Sequence, residues 1–187
     1  MIRFLLFFIA IVPSFAIDVP RMERDLDGIA KVATAMVDGD VCRRIITPRA
    51  WEFMSRRDPR DQYAPDDNYD VDDQSFIAVK KLLMRLATLA DYPVDVNLWM
   101  PLDTQRKRVS IIIRNRYEMS QFWKWGKLEQ PMFPPMLSVL ETGKRLTVKE
   151  KVGYVSVLAP VRNSLGDIVA LVEVVSKLHP DARENVK

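Results

Sequence analysis

The chain has 187 residues, enough for one domain rather than two, and 48% hydrophobic with 28% charged residues is a globular balance that excludes intrinsic disorder. Its 28 Lys and Arg are interleaved with 25 Asp and Glu for a formal net charge of +3. The basic runs are short, such as Arg56-Arg57 and Arg106-Lys107-Arg108, so the footprint of a nucleic-acid binder is missing.

Met1-Ile2-Arg3 gives a positive start, Phe4 to Val12 is an unbroken apolar run, and Ser14-Phe15-Ala16 places small residues where a signal peptidase reads. This predicts a secretory signal over 1–16, cleaved after Ala16, and a periplasmic or secreted product. The run is far short of the ~20 residues that span a bilayer; an uncleaved anchor is the alternative. Arg21 to Val37 then carries Met22, Leu26, Ile29, Ala30, Ala33, Met36 and Val37 at helical spacing, and Asp38-Gly39-Asp40 stops that helix. A short helix is expected around Pro48 to Ser55. Arg56 to Asp73 reads as a polar surface loop, and Gln74 to Asp91 as a second long helix, N-capped by Asp72 or Asp73 and ended by Pro93.

From Val94 the period changes from 3.6 to 2. Val94 to Leu102 and Arg108 to Arg114 predict two strands joined as a hairpin by the polar Asp103 to Lys107. Tyr117 to Gln130 is aromatic and irregular. Pro131 to Glu141 predicts a short helix closed by Gly143, and Leu146 to Glu150 a short edge strand. Tyr154 to Arg162 and Asp167 to Ser176 predict a strong hairpin around Asn163-Ser164-Leu165-Gly166, followed by a frayed tail over 177–187. Helices segregated from antiparallel strands argue an α+β fold.

Catalytic signatures are scarce. With one Cys, Cys42, no intrachain disulfide forms, and a lone Cys is most simply a small buried apolar residue. The single His179 cannot build a zinc site with so distant a Cys, and it lies in the tail. Asp66, Asn68 and Asp70 match the start of an EF-hand loop, but Val71 replaces its Gly and Ile77 its bidentate Glu. A solvated acidic run before a helix N-terminus explains them. No phosphate-binding glycine loop, nucleophile elbow or Cys/His metal set is present. The reading is therefore no enzyme, no metal and no cofactor.

On the strand faces, Asn97 pairs with Trp99, Ser110 with Arg114, and Tyr154 with Ser156 and Arg162, with Glu173 able to join from the last strand. Should these faces coincide, two guanidinium groups, a carboxylate and aromatic walls suit a small organic ligand, an anion in particular. The alternative is a solvated sheet face. Tyr117, Phe122, Trp123 and Trp125 either stack on that ligand or pack a long loop onto the core.

Three stretches resemble the extracellular PAS-like sensor family called Cache or PDC. They are Val37-Asp38-Gly39-Asp40; the helix-to-strand passage from Gln74 to Leu102; and Leu137 to Val175. The last contains Thr142-Gly143-Lys144, Tyr154-Val155-Ser156-Val157-Leu158-Ala159-Pro160-Val161-Arg162 and Gly166-Asp167-Ile168-Val169-Ala170-Leu171-Val172-Glu173-Val174. The resemblance implies a five-stranded antiparallel sheet, a long N-terminal helix on one face and a small-molecule pocket on the other, covered by the Tyr117–Trp125 region. It makes Trp99, Arg114, Tyr117, Trp123, Tyr154, Ser156, Arg162 and Glu173 the candidate ligand-binding residues. Cys42 stands where many relatives have His, Tyr154 where they often have Trp, and Val175 where the strand commonly ends in Asp. These departures touch the choice of ligand and not the fold. The expectation is a freestanding exported module that binds a small organic ligand and signals through a partner protein. The alternatives are a ligand-free domain docking a membrane receptor, or a hydrolase using carboxylates such as Glu173. Nothing in these patterns fixes an oligomeric state.

Overall fold

The computed structural model describes residues 18–55, 71–124 and 129–178. The leader over 1–16, the acidic run from Asp66 to Asp70, Trp125 and His179 lie outside them. The order is α1 (Val19–Met36), α2 (Gly39–Ile45), α3 (Pro48–Ser55), α4 (Asp73–Ala87), β1 (Asp95–Pro101), β2 (Arg108–Ile113), β3 (Glu129–Pro131), α5 (Pro134–Thr142), β4 (Leu146–Val148), β5 (Tyr154–Arg162) and β6 (Ile168–Lys177). The fold is α+β. One antiparallel sheet runs β3-β2-β1-β6-β5-β4, so the first and last long strands are neighbours at its centre.

Capping chemistry marks most helix ends, but α4 stops at Ala87 with Thr88 as its cap, short of the Asp91 end expected from Pro93. Pro20 opens α1, which buries Met22, Leu26, Ile29, Ala30 and Ala33. Met36 was expected on that face but is exposed, because the helix ends there and Val37, in extended backbone, takes the buried place. Asp38 stops α1 and at once caps α2, accepting from Asp40 N (2.8 Å) and Val41 N (3.4 Å). The Asp-Gly-Asp run is thus a corner between two helices and not a single stop. Gly39 is required at that corner: a Cβ would fall 2.5 Å from the Arg162 carbonyl oxygen. Asp72 caps α4 through Ser75. Pro134 and Pro135 open α5, and Gly143 closes it at φ +67, a left-handed conformation that suits glycine. Pro131, expected to open α5, instead pairs with Arg108 in β3. That three-residue strand is the sixth, beyond the five expected, and an edge strand tolerates a proline.

Helices α1, α2 and α4 cover one face of the sheet, with α1 lying across β5 and β6 and α4 against β1. Val96, Leu98, Val157, Ala159, Val172 and Val174 point into that layer. The other face carries Trp99, Val109, Ile111, Leu158 and Leu171, packed under α5 (Met136, Val139, Leu140) and under Phe122. Strand β1 is therefore buried on both faces, and its polar residues Asp95 and Asn97 are fully buried. The solvated-face alternative does not hold for Asn97, Trp99, Ser110, Ser156 or Glu173, all 0% exposed. Cys42 is a buried free thiol, pushed up to about 12 by burial, as an inert apolar residue would be. No helix among the described residues is long and apolar enough to cross a membrane.

Candidate functional site

The sheet face opposite α1 is where a ligand was expected, and its centre is Glu173. The β6–β1 register sets Glu173 directly against Asn97, and Trp99 follows two residues on, on the same side. Glu173 Oε2 accepts from the Trp99 indole (Nε1, 2.9 Å) and from Ser120 Oγ (2.7 Å), and Oε1 accepts from the Gln121 backbone N–H (2.8 Å). Burial drives its carboxyl pKa above the ordinary value, opposed by hydrogen bonds from Ser120, Gln121, Trp99 and Asn97.

A second buried carboxylate stands beside it. Asp95 accepts from the backbone N–H groups of Tyr117 (3.1 Å) and Met119 (2.8 Å). Asn97 accepts from Asn115 N (3.1 Å) and donates to the Met119 carbonyl (2.7 Å). Ser120 Oγ in turn accepts from Phe122 N and Trp123 N, both at 3.0 Å. The Gln121 side chain donates to Ser156 Oγ (2.7 Å) and to the Val148 carbonyl, and accepts from Lys151 N (3.0 Å). The irregular segment 115–123 is thus riveted to the sheet by residues of four strands. Its backbone polar groups, which no ladder satisfies, find buried side-chain partners instead. Glu118 is held at φ +51 within it, an uncommon conformation for a side chain with a Cβ.

The eight candidate residues fall into three places. Trp99, Ser156 and Glu173 are fully buried in this network. Arg114, Tyr117, Trp123 and Tyr154 lie toward the end of the sheet where β2 stops and β5 begins, a long rim joined through segment 115–123, with Tyr154 about four residues along β5 from the level of Arg114. There the Arg114 guanidinium lies 4.5 Å over the Trp123 ring and pairs with Glu118 at 3.4 Å. Arg116 lies 5.4 Å from the Tyr117 ring, and Lys151 lies 4.2 Å over Tyr154 while donating to the Ser120 carbonyl (3.2 Å). Arg162 is elsewhere: it is exposed at the β5–β6 hairpin, donates to the Gly166 carbonyl (2.7 Å), and reaches over Gly143 at the end of α5. The register puts Arg114 near the level of Leu158, so the two guanidinium groups are three strands and about four residues apart, roughly 14 Å across and 13 Å along the sheet. They do not converge on one anion.

Asp95, Ser120 and Gln121 carry the network and were not among the candidates. Asp95 was visible only as a polar position in the alternation of β1, and the segment holding Ser120 and Gln121 has no period to read. Among the described residues no three His, Cys, Asp or Glu side chains are grouped to hold a metal. The buried carboxylates are engaged by donors of segment 115–123 and of Trp99, and so hold that segment to the sheet. No protein-family model matches the chain, and no curated protein matches it significantly.

Proposed function

We propose that the chain is an exported, non-catalytic module of the extracellular PAS-like sensor type, and that it works by docking a signalling partner through the rim of Arg114, Arg116, Tyr117, Trp123, Lys151 and Tyr154. The observation that carries the proposal is the filling of the face opposite α1. Trp99, Ser156 and Glu173, which would line a pocket there, have no exposed surface and are bonded to the chain's own groups. Recognition is left to the rim. An antiparallel sheet with α1 packed on one face supports the PAS-like reading, although the sheet has six strands where that type has five. The rim presents cations against aromatic faces, a chemistry suited to an acidic segment of a membrane receptor.

The small-molecule reading keeps one supporting feature at this end, the Arg114–Trp123 pair, which offers a guanidinium and a ring to an aromatic acid. The two readings part experimentally. A photo-crosslinking residue at Arg116 in exporting cells should capture one protein, and the same residue at Leu165 on the opposite hairpin should not. Capture at neither position, together with a thermal shift by a small anion that Arg114→Ala abolishes, would replace docking by ligand binding.

A further inference from the structure

A cleft of about 510 Å³ opens at the other end of the sheet, between the α2–α3 corner and the turn joining β1 to β2. Its size falls in the range of small-molecule sites, roughly 300–1,000 Å³. Its walls are Ile46 and Trp51 on the helical side and Met100, Ile168 and Val169 on the sheet side, and Arg43 and Arg106 supply its cations.

The two arginines come from different elements. Arg43 is exposed in the last turn of α2. Arg106 is half-buried in the β1–β2 turn, where its Nη1 donates to the Leu140 carbonyl at 2.9 Å. A guanidinium has five N–H donors, so this bond fixes its position and leaves others to give. Arg106 also holds φ +55, a conformation that favours glycine, yet the position carries a long cation reaching the cleft. One acid, Asp103, is itself part of the lining, but its carboxylate is already engaged. Asp103 spends its carboxylate on Lys107 N (3.0 Å), Arg108 N (2.9 Å) and the Arg108 side chain, and Asp40 accepts from Ser164 N (2.8 Å). Backbone and side-chain donors hold both carboxyls below the usual range, so each stays an anion that its own partners already satisfy.

We propose that this cleft binds an aromatic monocarboxylate, with its ring against Trp51, Met100 and Ile168 and its carboxylate held by Arg106 and Arg43. An apolar recess rejects a fully hydrated dianion such as phosphate, and a neutral aromatic would leave the guanidinium groups unpaired. A ring and one carboxylate match both halves of the lining. The site is separate from the docking rim and stands on different residues, so either can fail alone. Together they place a small-molecule input at one end of the sheet and a partner surface at the other.

The test is calorimetric titration of the mature chain with phenylacetate and indole-3-acetate, each beside its neutral amide. An acid is expected to bind at least tenfold more tightly than its amide, the value of about one charge-assisted hydrogen bond. Arg106→Asn keeps a residue that tolerates positive φ and should weaken the acid about tenfold while leaving the amide unchanged. Arg43→Ala, on an exposed helix turn, should do the same without touching the fold, and decides the matter should Arg106→Asn melt early. Trp51→Leu should weaken acid and amide alike. Equal affinity for acid and amide, no binding of either acid, or undiminished binding by Arg43→Ala would overturn the proposal.

Discussion

A carboxylate in the middle of a sheet loses several kcal/mol of hydration unless donors replace the water. Glu173 has three such donors within 2.9 Å, and its pKa still rises. A raised folded-state pKa means that the folded protein binds the proton more readily than the unfolded chain. The contribution is fully present below the unfolded value of about 4.3 and is lost as pH rises through the folded value. The lowered carboxyls of Asp27, Asp40, Asp72 and Asp103 act in the opposite sense, so Glu173 must be read by difference. Wild type compared with Glu173→Gln should gain relative melting temperature on acidification across that window; a flat difference would show Glu173 unperturbed. Glu173→Ala strips the donors of their acceptor and should cost about 3 kcal/mol in urea unfolding. Gly143 gives a second residue-scale test. Alanine there would hold φ +67 and press its Cβ on the Arg162 guanidinium, so a loss of about 1–2 kcal/mol is expected.

Among the elements, α1 shows how far a pattern can be read. Its buried stripe was legible because 3.6-residue spacing alone sorts faces, and only the last turn escaped, where the backbone leaves the helix before Met36 can turn inward. Ala33 is fully buried on that stripe, so Ala33→Gly should cost about 1 kcal/mol, measured as a lower urea midpoint at unchanged m. Strand β1 shows the opposite case. Its alternation was read correctly, but alternation cannot tell a wet polar face from a buried one, and here Asp95 and Asn97 are buried because segment 115–123 closes over them. That segment has no period, so its anchors Ser120 and Gln121 left no mark in the sequence. Strand β3 was missed for a related reason: three residues beginning a proline-rich stretch look like a helix start.

For the molecule as a whole, the α+β class, the two main hairpins and α1, α3 and α4 were legible in a periodicity that changes at Val94, while the seven-residue α2 was not. The candidate site followed only in part, because the pleat fixes which residues of one strand share a face but not how far along its neighbours they lie. That is why Arg162 and Arg114 were placed together and lie apart, while Trp99 and Glu173 were placed together and are bonded. The resulting layout has a closed polar layer at the centre, a cation-and-aromatic rim at one end and an apolar cleft with two arginines at the other. Docking through the rim requires segment 115–123 to be rigid before any partner arrives, since ordering it on binding would consume affinity. Hydrogen exchange of the wild-type chain measures this directly. The amides of Tyr117, Met119, Gln121, Phe122 and Trp123 all donate to the side chains of Asp95, Glu173 and Ser120, which are buried. They are expected to exchange as slowly as those of β5 and β6. Exchange at the rate of an open loop would contradict a preformed docking surface.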